Sequence, residues 1–103
     1  MTRIAPSIFV EPEDVQRLNE LVEQLPINAR VRIIDHSGKA WVGIVTVTPT
    51  VQMFRDPSDD REGVNGVVNL EDPQQPGWHG NVWLGDIAAI EHLDSVTIGS
   101  TRA

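Results

Sequence analysis

The hydrophobic period changes once along this chain, and that change restricts the fold more than any other feature. Val15, Leu18, Leu21, Val22 and Leu25 recur at spacings of three and four, the stripe of an amphipathic helix. Pro12 stands where a helix accepts proline, in its first turn, and Glu13 and Asp14 follow it at the positive helix end. Pro26 and Asn28 stop the pattern, which predicts a helix over residues 12–25. From Val31 to Leu93 the apolar residues come instead in short runs separated by glycines and polar turns, the pattern of strands. The chain therefore reads as mainly β with one N-terminal α-helix.

Within the strand region, Val31 and Ile33 alternate with Arg30 and Arg32, as a half-buried strand should. Ser37-Gly38 makes a short turn into a second strand over residues 40–48. Trp41, Val45 and Val47 fall on one face of that strand and Val42 and Ile44 on the other, which predicts cover on both sides. Gly43 in its middle marks a bend, a bulge or a close backbone approach. Thr48-Pro49-Thr50 interrupts the ladder, because proline donates no hydrogen bond. Val51 to Arg55 is then the next strand or the continuation of a bent one, and Asp56–Gly63 is an acidic loop. Gly66 to Leu70 is a further strand, and Glu71–Gly77 is a loop stiffened by Pro73 and Pro76. Asn81–Leu84 and Asp86–Leu93 are two more apolar segments around Gly85, expected as sheet edges. The expected organisation is an N-terminal arm over 1–11, one domain over 12–98 with its strands from 30 onward, and a flexible tail over 99–103. In the last part of the chain, Val96 and Ile98 are the apolar residues left to anchor anything.

A length of 103 residues sets one domain as the prior, and 40% apolar residues allow one modest core. The absence of cysteine excludes disulfides and thiolate metal sites. The start MTRIAPSIFV has no apolar stretch long enough for a secretory signal, and no run approaches the ~18 apolar residues of a membrane span, so a cytoplasmic location is expected. Eight Lys and Arg against 15 Asp and Glu leave a net charge of −7. Phosphate backbones are held by concentrated positive charge, so this balance disfavours nucleic acid and suits a basic protein partner or simple solubility.

The run VRIIDHSGKAWVGIVTV, with Gly38 at a turn and Gly43 inside the next strand, resembles the first signature of the Sm-like proteins, and VWLGDIAAIEHL (Val82–Leu93) resembles the second. TPTVQMFRD (Thr48–Asp56) followed by REGVNG (Arg61–Gly66) is similar to a small uncharacterised bacterial family described as an Sm-like variant. The resemblance implies a small bent antiparallel barrel of about five strands behind the helix, with subunits that pair edge strands into a dimer or small ring. It also implies RNA as a ligand class, but the residues depart from that pattern. Where RNA-binding Sm proteins place an aspartate and an asparagine beyond the bend glycine, this chain has Pro49 and Met53. Where bacterial Sm-like riboregulators carry Tyr-Lys-His at the pore, it has Trp83-Leu84-Gly85. Uridine binding does not transfer to this sequence.

No catalytic, cofactor or metal motif stands out. His36, His79 and His92 lie far apart and belong to no HExxH or CxxC pattern. Asp56, Ser58 and Asp60 alternate like the start of a calcium loop, but Arg61 replaces its turn glycine and Val67 its final glutamate. Arg30, Arg32 and Arg55 are the candidates for any anion or RNA contact. Trp78, Trp83, Leu84, Ile87 and Ile90 are the candidates for an interface, and a loop tryptophan such as Trp78 suits a protein anchor. The leading expectation is a non-enzymatic Sm-like module acting through self-association or protein contact. The alternatives are an RNA-binding protein with a non-standard site and a small acidic inhibitor, immunity-like, of a basic partner.

Overall fold

Two sheets share the chain, and the order of their strands explains how the helix and the termini are placed. The structure, a computed structural model, describes residues 3–93. Helix α1 covers Pro12–Glu23, with proline in its first turn and Glu13 and Asp14 beside it. It stops two residues earlier than the apolar stripe predicts. The backbone N–H groups of Gln24 and Leu25 donate to Leu21 O and Val22 O, each at 3.0 Å, so the end tightens before Pro26. Pro26 disfavours a helical conformation at the residue before it. Asn28 then takes the left-handed conformation (φ 71°) and donates its N–H to Val45 O at 2.8 Å, which turns the chain into the first long strand.

The larger sheet has five strands in the order β7-β6-β3-β2-β8. These are β2 (Arg30–Asp35), β3 (Ala40–Val45), β6 (Val67–Glu71), β7 (His79–Trp83) and β8 (Ile87–His92), all paired antiparallel. The smaller sheet joins β1 (Arg3–Ile4), β4 (Gln52–Arg55) and β5 (Glu62–Asn65), with β1 parallel to β4. β3 leads into β4 and β5 into β6, so one long hairpin contributes to both sheets. The change of sheet occurs at residues 46–51 on one arm and at Gly66 on the other. A Cβ on Gly66 would lie 2.6 Å from Thr50 O and 2.8 Å from Leu84 Cδ1, so only glycine fits at that crossing. Gly43 instead lies in mid-strand beneath Trp78, a close approach and not the bend.

The five strands do not close into the expected barrel. β7 and β8 stand at opposite ends of the sheet order and do not pair with each other. Their connection is nonetheless only the 3-10 turn Leu84–Asp86, and three residues span at most ~11 Å. The sheet is therefore strongly curled, with its edges meeting at one corner and open beyond it.

The concave face holds the core. Val31, Ile33, Val45, Val68, Leu70, Val82, Leu84 and Ile87 pack there against Leu18, Leu21 and Leu25 from the helix. Burying an apolar side chain of this kind stabilises by about 1.5–3 kcal/mol, so this cluster dominates the fold. The opposite face is open: Val42 is 45% exposed, and Arg30, Arg32 and Ala40 are exposed beside it. The predicted cover on both sides of β3 is thus absent, as is ordinary for an antiparallel sheet with one solvated face.

Residues 3–10 are built into the fold. The chain pairs with β4 at Arg3 and Ile4, buries Ala5, and then exchanges two hydrogen bonds between Phe9 and Val64 of β5, at 3.0 and 2.8 Å. The predicted tail over 99–103, with Val96 and Ile98 before it, lies outside the described residues.

Candidate functional site

The two outer strands of the five-stranded sheet are the features with unused bonding capacity. On β8, the Leu93 N–H donates to Arg30 O at 2.9 Å. The antiparallel alternation then makes Glu91 with Arg32 a bonded pair and turns the main chain of Ile90 away from β2. On β7, the Leu84 N–H donates to Gly66 O at 2.8 Å, which makes Val82 with Val68 and Gly80 with Leu70 the bonded pairs. The main chain of Asn81 and Trp83 is therefore turned away from β6. Among the described residues no further strand pairs with either edge. Both segments anticipated as edges, 81–84 and 86–93, contribute to them.

Side chains at these edges divide into core and surface. Leu84 and Ile87 are fully buried and belong to the core cluster. Trp83 is half-buried and meets Phe54 edge to face, with ring centroids 5.2 Å apart at 80°. Ile90 is half-buried on a groove between β8 and α1 that Arg17 and Gln24 also line. The Arg17 guanidinium donates to Ile87 O and so ties the helix to the start of β8. Trp78 is half-buried as well, and its ring lies over Gly80 of β7 and Gly43 of β3, the strands on either side of β6. A Cβ on Gly80 would come within 2.8 Å of it, and one on Gly43 within 3.4 Å.

The arginines separate. Arg30 and Arg32 share the solvated face of β2, and Arg32 pairs with Glu91 at 3.4 Å. Arg55 belongs to the smaller sheet and faces Asp60 at 3.7 Å. The histidines also stay apart: the His36 N–H donates to Asp86 O, His79 lies 3.8 Å from Glu71, and His92 Nε2 meets Gln24 O. Among the described residues no group of three or more His, Asp or Glu converges as a metal site would require. In the acidic loop, Asp56 turns inward. Its Oδ1 accepts from the Ser58 hydroxyl and N–H, which holds the Asp56 carboxyl below its ordinary value.

Two polar residues matter that the sequence pattern does not single out. Asp35 organises the β2–β3 turn: its Oδ1 accepts from the Ser37 hydroxyl and N–H and from the Lys39 N–H, and its Oδ2 accepts from the Trp41 indole. These donors, the Ser37 hydroxyl first and the Trp41 indole next, lower its pKa to about 2. Asn65 is the one buried polar residue among those described. Its Nδ2 donates to Ser7 O at 3.0 Å, and its Oδ1 accepts from the N–H groups of Gly66 at 2.8 Å and Gly85 at 3.1 Å. It thereby joins the N-terminal segment, the sheet crossing and the 3-10 turn. The one available signal was an asparagine ending a strand beside a glycine in VNG.

A helix packed on a curled, open five-stranded antiparallel sheet, with a bent hairpin between its second and third chain segments, is an Sm-like arrangement. The comparisons agree. The model of the family described as a domain of unknown function (DUF3247) matches residues 2–93, and the chain belongs to that family. The crystal structure of XC5848 from Xanthomonas campestris, described as adopting a novel variant of the Sm-like motif, superposes with a TM-score of 0.83 at 30% identity, over 90% of this chain and 99% of that one. No curated protein matches the chain significantly.

Proposed function

We propose that this protein is a non-enzymatic module that works by self-association, the β7 edge of one copy pairing with the β8 edge of another. The observation that carries this reading is that no strand among the described residues pairs with the outer side of β7 or of β8 on the curled sheet. An exposed edge offers a row of main-chain donors and acceptors to another chain, and proteins that avoid such pairing place proline or lysine there. Neither HGNVW nor IAAIEH contains either residue. Two different edges pairing head to tail make a heterologous contact, which closes into a ring or runs on.

The test is sedimentation velocity across protein concentration and salt. Self-association predicts a mass well above the 11.4 kDa of one chain. Because each copy carries −7, higher salt should strengthen the assembly. Asn81→Pro or Ile90→Pro, which places proline where the outward N–H stood, should return the mass to one chain while the circular dichroism spectrum is kept. A single-chain mass for the unaltered protein at every concentration would defeat the proposal.

A further inference from the structure

Asn65 precedes a glycine, the only Asn-Gly pair among the chain's five asparagines. Such a pair is chemically labile, because the glycine nitrogen has no side chain to hinder its attack on the asparagine's own Cγ; asparagine is a thermolabile residue. The fold requires both members. A Cβ on Gly66 would lie 2.6 Å from Thr50 O, so no other residue fits there. Position 65 needs a donor for Ser7 O and an acceptor for the N–H groups of Gly66 and Gly85, and a carboxamide carries these on separate atoms. A labile pair thus stands at the point that holds the N-terminal segment.

We propose that Asn65-Gly66 is a self-modifying site, reactive when residues 3–10 open, whose conversion prevents them from closing again. In the closed fold Asn65 is fully buried, Nδ2 is held by Ser7 O, and the Gly66 N–H points at Oδ1 from 2.8 Å, so this nitrogen donates to the side chain and does not attack it. The pairs Gln52 with Asn65 and Val67 with Trp83 hold the main chain on either side. Residues 3–10 are tied by two parallel pairs and the Phe9–Val64 bridge, and their opening frees the Asn65 side chain to turn. The Gly66 nitrogen then bonds Cγ, the Cγ–Nδ2 bond breaks, and the nitrogen's proton leaves with Nδ2 as ammonia. Water opens the resulting five-membered imide, at Cγ to give aspartate or at the main-chain carbonyl to give isoaspartate. Nothing is oxidised or reduced.

Either product undoes the tie. An ionised aspartate sets two acceptors face to face where Nδ2 donated to Ser7 O, and places a charge at a position with no exposure. Isoaspartate adds a methylene to the main chain beside Gly66, whose seat against Thr50 and Leu84 has no room to shift. Opening of the segment therefore becomes permanent, and the β5 edge that Phe9 covers is left bare.

The experiment ages the full chain in neutral and mildly alkaline buffer. Peptide mapping separates asparagine, aspartate and isoaspartate, and hydrogen exchange is read on the same samples. The free peptide GVNGVV, residues 63–68, supplies the unprotected rate. The expected result is conversion at Asn65 alone among the five asparagines, slower than in the peptide and faster as pH rises. Phe9→Ala should convert roughly 5–30-fold faster, the gain in open population expected when the segment is loosened. Low urea should speed the unaltered chain in the same way, which keeps the test if that variant folds poorly. In converted chains the Val64 N–H, which donates to Phe9 O, should exchange rapidly while Ile33 stays protected. An intact Asn65 in every sample after the peptide has fully converted would overturn the site. Conversion as fast as in the peptide, or unmoved by both Phe9→Ala and urea, would overturn the gate. A converted chain with Val64 still protected, or with Ile33 exchanging as well, would overturn the release. None of these readouts depends on self-association.

Discussion

The two sheets of this protein treat their edges in opposite ways. In the smaller sheet both sides of the β4–β5 hairpin are covered: β1 pairs along β4, and Phe9 bridges to Val64 on β5. In the larger sheet no strand among the described residues covers the outer side of β7 or of β8. A bare edge is a hazard that a chain normally covers, so leaving two while strapping the other two separates a finished surface from an unfinished one. The means of support differ too. The larger sheet rests on an apolar cluster, whereas the strap is tied through one buried amide, Asn65.

The largest test of that contrast removes the tie. Asn65→Ala leaves Ser7 O and the N–H groups of Gly66 and Gly85 without their partner, and should cost about 3 kcal/mol in urea unfolding, since each buried orphan is worth ~1–3. Next, Phe9→Ala should loosen the strap without unfolding the core, at about 1–2 kcal/mol for a half-buried ring. Hydrogen exchange at Val64 should then accelerate while Ile33 stays protected. The freed β5 edge should also raise the association state, turning the covered sheet into an open one.

A pH test probes the other sheet. The Asp35 carboxyl has a folded pKa of about 2, below its ordinary value of 3.8. A depressed carboxyl stabilises the fold above its unfolded value, and that contribution is lost as pH falls from roughly 4 to 2. Asp35→Asn should flatten the acid limb of a thermal-melting profile, and a limb of unchanged slope would show that the turn does not depend on this charge. The smallest effect is expected at Arg32 and Glu91, an exposed pair. Arg32→Gln should change stability by less than ~0.5 kcal/mol, shrinking further in salt.

What the sequence made legible was local. The helix, the β2–β3 hairpin and the two edge strands each carry their own periodicity and turn residues, and each forms in the expected region with ends shifted by one to three residues. The strap was not legible, because Arg3 pairs with Phe54 and Phe9 with Val64, and nothing in MTRIAPSIFV signals those distant partners. Which of the three roles open to Gly43 it fills, a close backbone approach, could not be told from the sequence for a related reason. Gly43 and Gly66 look alike as single glycines in strands, and only the approach of Thr50 and Leu84 in space distinguishes them. Openness of the sheet was hidden as well, since strand count does not fix whether the first and last strands meet. Of the candidate site, the edges were visible and the seat of Trp78 was not. Trp78 could be read as a loop aromatic, but the two glycines that seat it lie on other strands.

The 3-10 turn Leu84–Asp86 has one further consequence. It joins the β7 edge and the β8 edge through a corner so short that their mutual angle is a fixed property of each chain. In a head-to-tail assembly that angle is applied afresh at each added copy. The number of copies needed to complete a circuit would therefore be written inside the subunit, at Gly85 and the Phe9 ring packed on it, and not at the surface where the copies touch.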